Sequence, residues 1–312
     1  MSDCVQILAP AKINLALAVG PLDVTCGLHP VASWMRTVNF CDQLELQKLP
    51  EGSFSRFATV WSEDAPRPTE IDWPLARDLA FRAHQAMEVH VGRPLPVQSL
   101  LSKKIPVGSG LGGGSSNAAA MLRGLDALFE LSVAEESLIS IAASLGSDVP
   151  FFLQGGDAVV SGFGEHCVPT NCERFPALVL VFPTTACPTG EIFDAFDEQE
   201  PRDFAPERID AVLQGSDLDG DDLFNDLLLA AQAAQPRYPP PGDSGGRAGE
   251  AQRLGVWSDP LLTTSNGDEK TAQKKPEQTA VTKTPDAVPG TMSSFRMRVC
   301  LTSSYDDIST AA

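Results

Sequence analysis

A glycine-rich segment that runs directly into a helical pattern restricts this chain more than any other feature. Residues 108–114 contain five glycines in seven positions. Behind them, apolar residues recur every three or four positions from Ala118 to Phe129, which predicts an amphipathic helix capped by Ser115 or Ser116. Glycines let backbone N–H groups converge on an anion, and a helix N-terminus adds unpaired N–H groups and a positive dipole end. The segment therefore predicts a phosphate-binding loop outside the core, and the alternative is a flexible linker before a helix.

Three common kinds of phosphate-binding loop do not match this segment. Gly108, Gly110 and Gly113 satisfy G-x-G-x-x-G, but a dinucleotide-binding fold needs a strand with an acidic residue after the helix. A second helical pattern, over 134–145 and ending at Gly146, follows instead. A Walker loop needs G-K-[ST], which this loop lacks, and the H-R-D and D-F-G motifs of protein kinases do not occur.

The other patterns mix short apolar runs with helical spacing. Because the strands are mixed with paired helices, rather than alternating regularly with single ones, the sequence predicts an α+β fold. The predicted strands cover 5–8 and 13–19 on either side of Pro10, 36–46, 96–106, 157–161 and 177–183, and the other predicted helices cover 76–88 and 190–197.

Composition and charge change near Pro236. The chain of 312 residues carries a net charge of −18, yet residues 236–312 hold nine basic and nine acidic residues. The whole net charge therefore falls on residues 1–235, and an acidic body of this kind disfavours non-specific binding of nucleic acid. The last segment is rich in Pro, Gly, Ser and Thr and lacks a sustained period, which predicts a low-order tail.

Nothing in the sequence predicts a membrane protein or an exported one. No apolar run reaches about 18 residues, the length of a membrane-spanning helix, and Lys12 interrupts the apolar stretch near the N-terminus. The seven cysteines contain no C-x-x-C pair and the four histidines no H-E-x-x-H spacing, so we expect neither a disulfide framework nor a zinc site. A reducing, cytoplasmic location is the expectation.

Two further segments complete a family pattern. Residues 9–15 read A-P-A-K-I-N-L, and residues 145–152 read L-G-S-D-V-P-F-F. Together with I-P-V-G-S-G-L-G-G-G-S-S-N at 105–117, they resemble the GHMP small-molecule kinase superfamily. Within it, they are most similar to the branch that phosphorylates a cytidine-diphosphate-linked methylerythritol. The resemblance runs from about residue 7 to about residue 231.

The resemblance implies a two-domain α+β kinase. Residues 1–170 would form an ATP-binding and catalytic domain of the ribosomal protein S5 domain 2-like type. Residues 171–235 would form an incomplete α/β-plait-like domain, and residues 236–312 a divergent tail. ATP and Mg²⁺ are the implied cofactors, and the 2-hydroxyl of the substrate is the implied acceptor. The expected partner is this small molecule, with no nucleic acid and no membrane, and the protein would be a monomer or a homodimer.

The resemblance assigns catalysis to Asp148 and Lys12. Asp148 matches the aspartate that takes the proton of the attacking hydroxyl, and its other reading is the N-cap of a short helix entered through Val149 and Pro150. Lys12 matches the lysine that keeps this aspartate ionised and offsets charge on the phosphate, and its other reading is an edge lysine that reaches solvent. Asn14 would project from the same strand face as Lys12 and orient the substrate.

The glycine loop is the implied ATP site. Lys103 or Lys104 would support the phosphates or would simply be solvated, and Ser116 would lie near the metal. The expected contacts with ATP are Pro106, Gly108, Gly110, Gly112, Gly113, Gly114, Ser115 and Ser116.

Substrate recognition and three departures complete the comparison with the family. His29 and Phe193 match residues that recognise the cytosine ring and stack on it, although an ordinary surface histidine and a packed phenylalanine are the alternatives. Leu28 stands where the family has tyrosine, Asp78 where it has asparagine near the adenine site, and no second glycine-rich loop follows residue 231. Two alternatives stay open: another GHMP kinase, acting on mevalonate, homoserine or a sugar, and a non-catalytic nucleotide-binding relic.

Overall fold

The computed structural model describes most of the first 170 residues and shorter stretches beyond them. Within the described ranges, seven strands form one mixed sheet, and two more strands form a small separate sheet. Seven α-helices are described alongside them. The described residues are 3–170, 178–180, 189–200, 203–215, 223–234 and 297–299.

The strands are numbered along the chain. They are β1 (Cys4–Val19), β2 (Val31–Lys48), β3 (Arg56–Trp61), β4 (Val97–Lys103), β5 (Asp157–Gly162), β6 (His166–Pro169), β7 (Leu178–Leu180), β8 (Phe224–Asn225) and β9 (Met297–Val299).

The helices are numbered in the same way. They are α1 (Leu79–Val91), α2 (Gly113–Phe129), α3 (Glu135–Leu145), α4 (Val149–Gln154), α5 (Thr189–Asp197), α6 (Glu207–Gln214) and α7 (Leu228–Ala234), and a short 3₁₀ turn, Leu75–Arg77, precedes α1.

The long strand β2 organises the main sheet. The strand order is β3-β4-β2-β1-β8. The first half of β2 also pairs with β5, which continues to β6, while its second half pairs with β4. β1 runs antiparallel to β2 along its whole length and pairs in parallel with β8 at its far end. The small sheet consists of β7 and β9 in antiparallel pairing.

The first strand is longer than the sequence predicts. The apolar runs predict two strands on either side of Pro10, but β1 is continuous. Its pairing with β2 shifts register after Pro10, which lies opposite Cys41, whereas Ala11 lies opposite Val38. Such an irregularity accommodates proline because proline has no N–H to give to the ladder.

Helices α1 to α4 cover one face of the main sheet. Their buried cluster includes Leu44 of β2, Met87 of α1, Leu122 of α2 and Phe151 of α4. A second cluster lies around Trp34, which neighbours Met35 on β2 and therefore points to the opposite face. The mixed sheet with helices packed on it confirms the predicted α+β class.

The second cluster also contains residues that flank and belong to the glycine segment. Ile105 and Leu111 are 1% and 2% exposed, and they pack with Ile209 of α6. The glycine segment is therefore tied into the core on this side, and the expectation that it lies outside the core is wrong.

Each of the four predicted helices corresponds to an observed one, although α1 begins and ends three residues later than predicted, and α4, α6 and α7 were not predicted. α3 ends at Gly146, as the sequence predicts. α2 begins two residues before Ser115, and Gly112 precedes it without any side-chain cap. The prediction that Ser115 or Ser116 caps this helix is therefore wrong, because both serines lie inside its first turns.

The domain boundaries remain predictions. β1 to β6 and α1 to α4 all lie within 1–170. The tail, 236–312, lies outside the described residues apart from β9, and only Leu178–Leu180 of the strand predicted at 177–183 is described. None of the described helices combines the length and the hydropathy that a membrane span requires.

Candidate active site

A cavity of about 980 Å³ brings most of the predicted site residues together. This volume lies near the upper end of the range for small-molecule sites, about 300–1,000 Å³. The wall extends from the glycine loop, past the middle of β1, to the start of α5. The predicted residues that line it are Lys12, Asn14, His29, Pro106, Gly108, Gly110, Gly112, Gly113, Gly114, Ser115, Asp148 and Phe193.

The glycine loop is held in place by hydrogen bonds to its backbone carbonyl groups. The N–H of Lys12 donates to the carbonyl of Leu111 at 2.9 Å, which ties the loop to β1. The Arg67 guanidinium donates to the carbonyl of Val107 at 2.7 Å from the other side. A loop fixed by such hydrogen bonds is more typical of a binding site than of a flexible linker.

Gly112 is required where the loop turns into α2. Its φ of +71° is left-handed, and a Cβ there would lie 2.8 Å from the Phe152 ring and 3.0 Å from Cγ of Lys12. No side chain caps the helix that follows. Because the first N–H groups of a helix have no intrahelical acceptor, this end of α2 is suited to bind an anion.

Gly113 lines the cavity and also packs against the core. A Cβ at this position would lie 2.9 Å from Cγ2 of Ile105, a buried residue. A larger side chain at Gly113 would therefore disturb the packing of the loop on the core as well as the anion site.

Asp148 lies just before α4, and its side chain is 28% exposed. It occupies the N-cap position, but its carboxylate makes no capping hydrogen bond. The carboxylate instead lies 3.8 Å from the ammonium of Lys12. The structure thus leaves Asp148 available to accept a proton inside the cavity.

Lys12 and Asn14 lie side by side in β1. The ammonium of Lys12 donates to Oδ1 of Asn14 at 2.5 Å, which confirms that the two side chains share a strand face. The Lys12 side chain is only 10% exposed, so it does not extend into solvent from a strand edge. A nearly buried ammonium that faces a carboxylate suits a site where negative charge develops.

His29 and Phe193 lie at the other end of the cavity. Their ring centroids are 5.0 Å apart in a stacked arrangement. Nδ1 of His29 lies 2.9 Å from the carbonyl of Gly20, and since a carbonyl only accepts, this bond assigns the proton to Nδ1. Nε2 lies 3.5 Å from Oδ1 of Asp197, a contact that is an ion pair only when Nε2 also carries a proton. A base would stack on an outer ring face, because 5.0 Å leaves no room for a third ring.

The two lysines before the loop are already paired. The Lys103 ammonium binds Oδ2 of Asp42 at 2.6 Å, and the Lys104 ammonium binds Asp64. Lys103 lines the cavity, whereas Lys104 does not. Hydrogen bonds from Lys104 and Ser62 lower the pKa of Asp64.

Sequence reasoning missed Asp42, Trp73 and Arg77. Asp42 is fully buried, and the sequence held a signal for this because Asp42 falls between Phe40 and Leu44 in an apolar alternation, although these two residues pack on opposite faces of the sheet. Trp73 and Arg77 also line the cavity. Trp73 lies before the helix predicted over 76–88, and Arg77 lies at the start of it, where the helical spacing carries no sign of a binding role.

The position of Asp78 shows why aspartate can replace the asparagine of the family. Its carboxylate accepts from the N–H groups of Ala80 at 2.9 Å and Phe81 at 3.2 Å, and so it caps α1. A carboxylate serves this purpose as well as an amide does. Leu28 lines the cavity and is half exposed, and it stands in place of the family's tyrosine, while the Phe196 ring lies edge-on to His29 with centroids 5.7 Å apart.

Ser116 differs from the other predicted site residues. It is 1% exposed and does not line the cavity, whereas its neighbours Ser115 and Asn117 do. Within the described part of the chain its hydroxyl has no hydrogen-bond partner. This orphan oxygen and the Asp148 carboxylate are donors of the kind that Mg²⁺ accepts. No cluster of three or more His, Cys, Asp or Glu side chains in the described ranges could hold a metal ion.

A cysteine reports on the electrostatics near Asp148. Burial raises the pKa of the Cys167 thiol to about 11, and the charges of Asp148 and Glu165 act in the same direction. Burial likewise raises the pKa of Cys41 to about 11.

Comparison with known proteins adds a family match. The profile described as GHMP kinases N terminal domain matches residues 78–156. A protein of Polaromonas naphthalenivorans named 4-diphosphocytidyl-2-C-methyl-D-erythritol kinase is 37% identical over 192 residues, which cover 62% of this chain and 63% of that protein. Its namesake from Exiguobacterium sibiricum is 37% identical over 211 residues, which cover 66% of this chain and 69% of that protein.

A solved structure gives the same result. The crystal structure of a 4-(cytidine 5′-diphospho)-2C-methyl-D-erythritol kinase superposes with a TM-score of 0.56 at 32% identity. The superposition covers 75% of this chain and 80% of that one. The chain thus spans just under two thirds of the Polaromonas relative and four fifths of the solved structure.

Proposed function

The chain belongs to the 4-diphosphocytidyl-2-C-methyl-D-erythritol kinase family of the GHMP kinases, and from that premise we propose that it is such a kinase. It would transfer the terminal phosphoryl group of ATP to the 2-hydroxyl of 4-diphosphocytidyl-2-C-methyl-D-erythritol. This reaction belongs to the non-mevalonate supply of isoprenoid precursors.

One observation carries the proposal. A single cavity contains the glycine loop, the pair Asp148 and Lys12, and the ring pair His29 and Phe193. Phosphoryl transfer depends mainly on positioning and charge stabilisation, so donor and acceptor must meet at one catalytic pair. Gly112 approaches Lys12 directly, and Lys12 lies 3.8 Å from Asp148.

The glycine-loop end is the proposed ATP site. The uncapped start of α2 offers N–H groups to the phosphates. The Arg77 side chain lines this end and has no ion-pair partner among the described residues. Trp73 and Leu79 provide an apolar surface there for the adenine ring.

Asp148 and Lys12 are the proposed catalytic pair. Asp148 takes the proton of the 2-hydroxyl as the new oxygen–phosphorus bond forms and the bond to the leaving ADP oxygen breaks. Lys12 places its ammonium beside the same atoms and offsets the negative charge of the moving phosphoryl group. Asn14 accepts a hydrogen bond from that ammonium and so fixes its direction.

Mg²⁺ is the proposed metal cofactor. Ser116, whose buried hydroxyl has no hydrogen-bond partner among the described residues, is the residue that would hold it, together with phosphate oxygens. When bound, the ion neutralises phosphate charge. Few protein ligands are needed, because Mg²⁺ in such sites takes most of its ligands from phosphates and water.

The far end of the cavity is the proposed cytosine site. The exocyclic amino group of cytosine can donate to an unprotonated Nε2 of His29 and to the Asp197 carboxylate beside it, which also lines the cavity. Phe193 offers a ring face for stacking. Leu28 offers an apolar contact in place of a second ring.

The organisation of the chain is part of the proposal. We propose a catalytic domain at 1–170 and a partial second domain at 171–235. The free thiols of Cys26, Cys41 and Cys167 support a reducing, cytoplasmic location.

A panel of acceptors tests the proposed function. ADP release is measured with 4-diphosphocytidyl-2-C-methyl-D-erythritol, mevalonate and homoserine, each with ATP and Mg²⁺. We expect release with the cytidyl acceptor only. Release with mevalonate or homoserine alone would assign the chain to another GHMP kinase, and ATP binding without release in any arm would make it a non-catalytic relic.

A further inference from the structure

One fully buried carboxylate binds both ends of the glycine loop. Asp42 lies in β2 with 0% exposure. Its Oδ1 accepts from the backbone N–H groups of Lys104 at 2.6 Å and Ile105 at 2.7 Å. Its Oδ2 accepts from the Lys103 ammonium at 2.6 Å and from Nδ2 of Asn117 at 2.9 Å. Four donors satisfy the capacity of a carboxylate.

The four donors come from the two sides of the loop. Residues 103–105 are where β4 ends and the chain enters the loop, and Asn117 lies in α2, where the chain leaves it. Lys103, Ile105 and Asn117 also line the cavity, although Asp42 does not. Because Nδ2 of Asn117 faces Asp42, its Oδ1 points elsewhere, and this buried oxygen has no partner among the described residues.

We propose that Asp42 is a positioning residue for ATP. It fixes the separation of the loop's two ends, and it holds the Lys103 ammonium and the Asn117 amide in the cavity wall. The inference rests on the proposed function in one respect, namely that the glycine loop binds ATP. Asp42 itself would not touch ATP, and it would act on ATP binding through the position of the loop.

Asp42→Asn is the main test. The variant keeps an oxygen for the two backbone N–H groups but turns an NH₂ group toward the Lys103 and Asn117 donors. The loop ends then separate, and KM for ATP should rise roughly 10- to 100-fold, as expected from the loss of a charge-assisted hydrogen bond. KM for the cytidyl acceptor should stay unchanged, because His29 and Phe193 lie at the other end of the cavity.

Asp157→Asn is the matched control. Asp157 is a largely buried carboxylate of the main sheet, with its side chain 9% exposed. It accepts from Nε1 of Trp34, lies 3.8 Å from Arg36 and does not line the cavity. Both variants should lower Tm, but Asp157→Asn should leave KM for ATP unchanged. Equal KM values for ATP in the wild type and in Asp42→Asn would overturn the proposal.

Two further variants separate positioning from stability. Asn117→Ala keeps the ion pair of Asp42 with Lys103 and removes one donor, so it should fold and raise KM for ATP several-fold even if Asp42→Asn does not fold. The double variant Asp42→Asn with Asn117→Asp returns a carboxylate to the Lys103 ammonium, and KM for ATP should move back toward the wild-type value. A normal KM in Asn117→Ala, or no recovery in the double variant, would contradict the proposed positioning.

Direct binding distinguishes this inference from the proposed function. Calorimetry with ATP and Mg²⁺ measures Kd without any acceptor. If the wild type binds ATP but phosphorylates none of the acceptors, the proposed function fails, and the Kd of Asp42→Asn still decides the role of Asp42. If the wild type does not bind ATP, both are overturned.

Discussion

Asp148 combines two properties that a proton acceptor needs. It lies 3.8 Å from an ammonium and makes no capping hydrogen bond. Asp148→Asn keeps the size of the side chain and removes the charge, so turnover should fall by roughly 10²–10⁴-fold while ATP still binds. Stopped-flow turnover and calorimetry on the same preparation measure both quantities. Unchanged turnover in the variant would eliminate the role of Asp148 as base.

Cys167 gives a second, non-catalytic readout of the Asp148 charge. That charge helps to keep the pKa of the Cys167 thiol raised, to about 11. In Asp148→Asn the pKa of Cys167 should therefore fall, the thiolate fraction at a fixed alkaline pH should increase, and alkylation should be faster. The change should be modest because burial is the larger cause.

Cys41 is the control for this alkylation experiment. Burial and the charge of Asp42 raise the pKa of its thiol, while Lys104 acts in the opposite direction. Its alkylation rate should be the same in the wild type and in Asp148→Asn. Equal acceleration at both cysteines would indicate general loosening of the fold, and no acceleration at Cys167 would contradict the proximity of an ionised Asp148.

At the residue scale, the sequence predicts those contacts that join residues close together in the chain. Lys12 and Asn14 share a strand face because they are two apart, and a hydrogen bond confirms this geometry. Asp42 could be predicted to be buried, but its role could not, because its partners come from β4 and α2 and meet only in the folded chain.

The turn between β5 and β6 supports the segment that carries Asp148. Gly164 has φ +107°, and a Cβ there would lie 2.7 Å from Cβ of Ser147 and closer still to the Ser147 carbonyl oxygen. Gly164→Ala should therefore displace Ser147 and with it Asp148. A misplacement of this kind lowers kcat by roughly 10²-fold, while KM for ATP should change little.

Gly156→Ala provides the matched comparison in steady-state kinetics. Gly156 also has a left-handed φ, +73°, but its added Cβ would meet nothing within 4 Å. It shares the backbone strain of Gly164→Ala without the displacement. If the two variants lose the same fraction of kcat, the contact between the turn and Ser147 does not position Asp148.

At the element scale, periodic segments were predictable and their irregular ends were not. The apolar spacing of α1 and α3 identifies both helices within a few residues. The start of α2 consists of Gly113 and Gly114, which have low helix propensity, so the serines behind them looked like the cap. Pro10 looked like a strand boundary because the register shift that accommodates it depends on β2.

At the scale of the whole molecule, the sequence predicts the site residues within 1–170 better than the contacts between these residues and α5. The proposed catalytic pair, Lys12 and Asp148, comes from local motifs within 1–170. His29 and Phe193 meet only because the hairpin after β1 faces α5, a long-range contact that no local pattern contains.

The composition of the tail predicts where limited proteolysis cuts the chain. Its composition and lack of a period predict that limited proteolysis cuts first within 236–296 and leaves an N-terminal fragment that ends near residue 235. Mass spectrometry of the early fragments locates the cuts. Resistance of this segment, or loss of full kinase activity when 236–312 is deleted, would show that the tail completes the phosphate site.

The central claim concerns one hydroxyl group of one substrate. The most direct measurement is phosphorus and carbon NMR of the product formed from 4-diphosphocytidyl-2-C-methyl-D-erythritol, ATP and Mg²⁺. We predict one new phosphomonoester on the 2-oxygen, formed in step with ADP. A phosphate on any other oxygen, or ATP consumed without a phosphorylated product, would contradict the assignment of this chain as a 4-diphosphocytidyl-2-C-methyl-D-erythritol kinase.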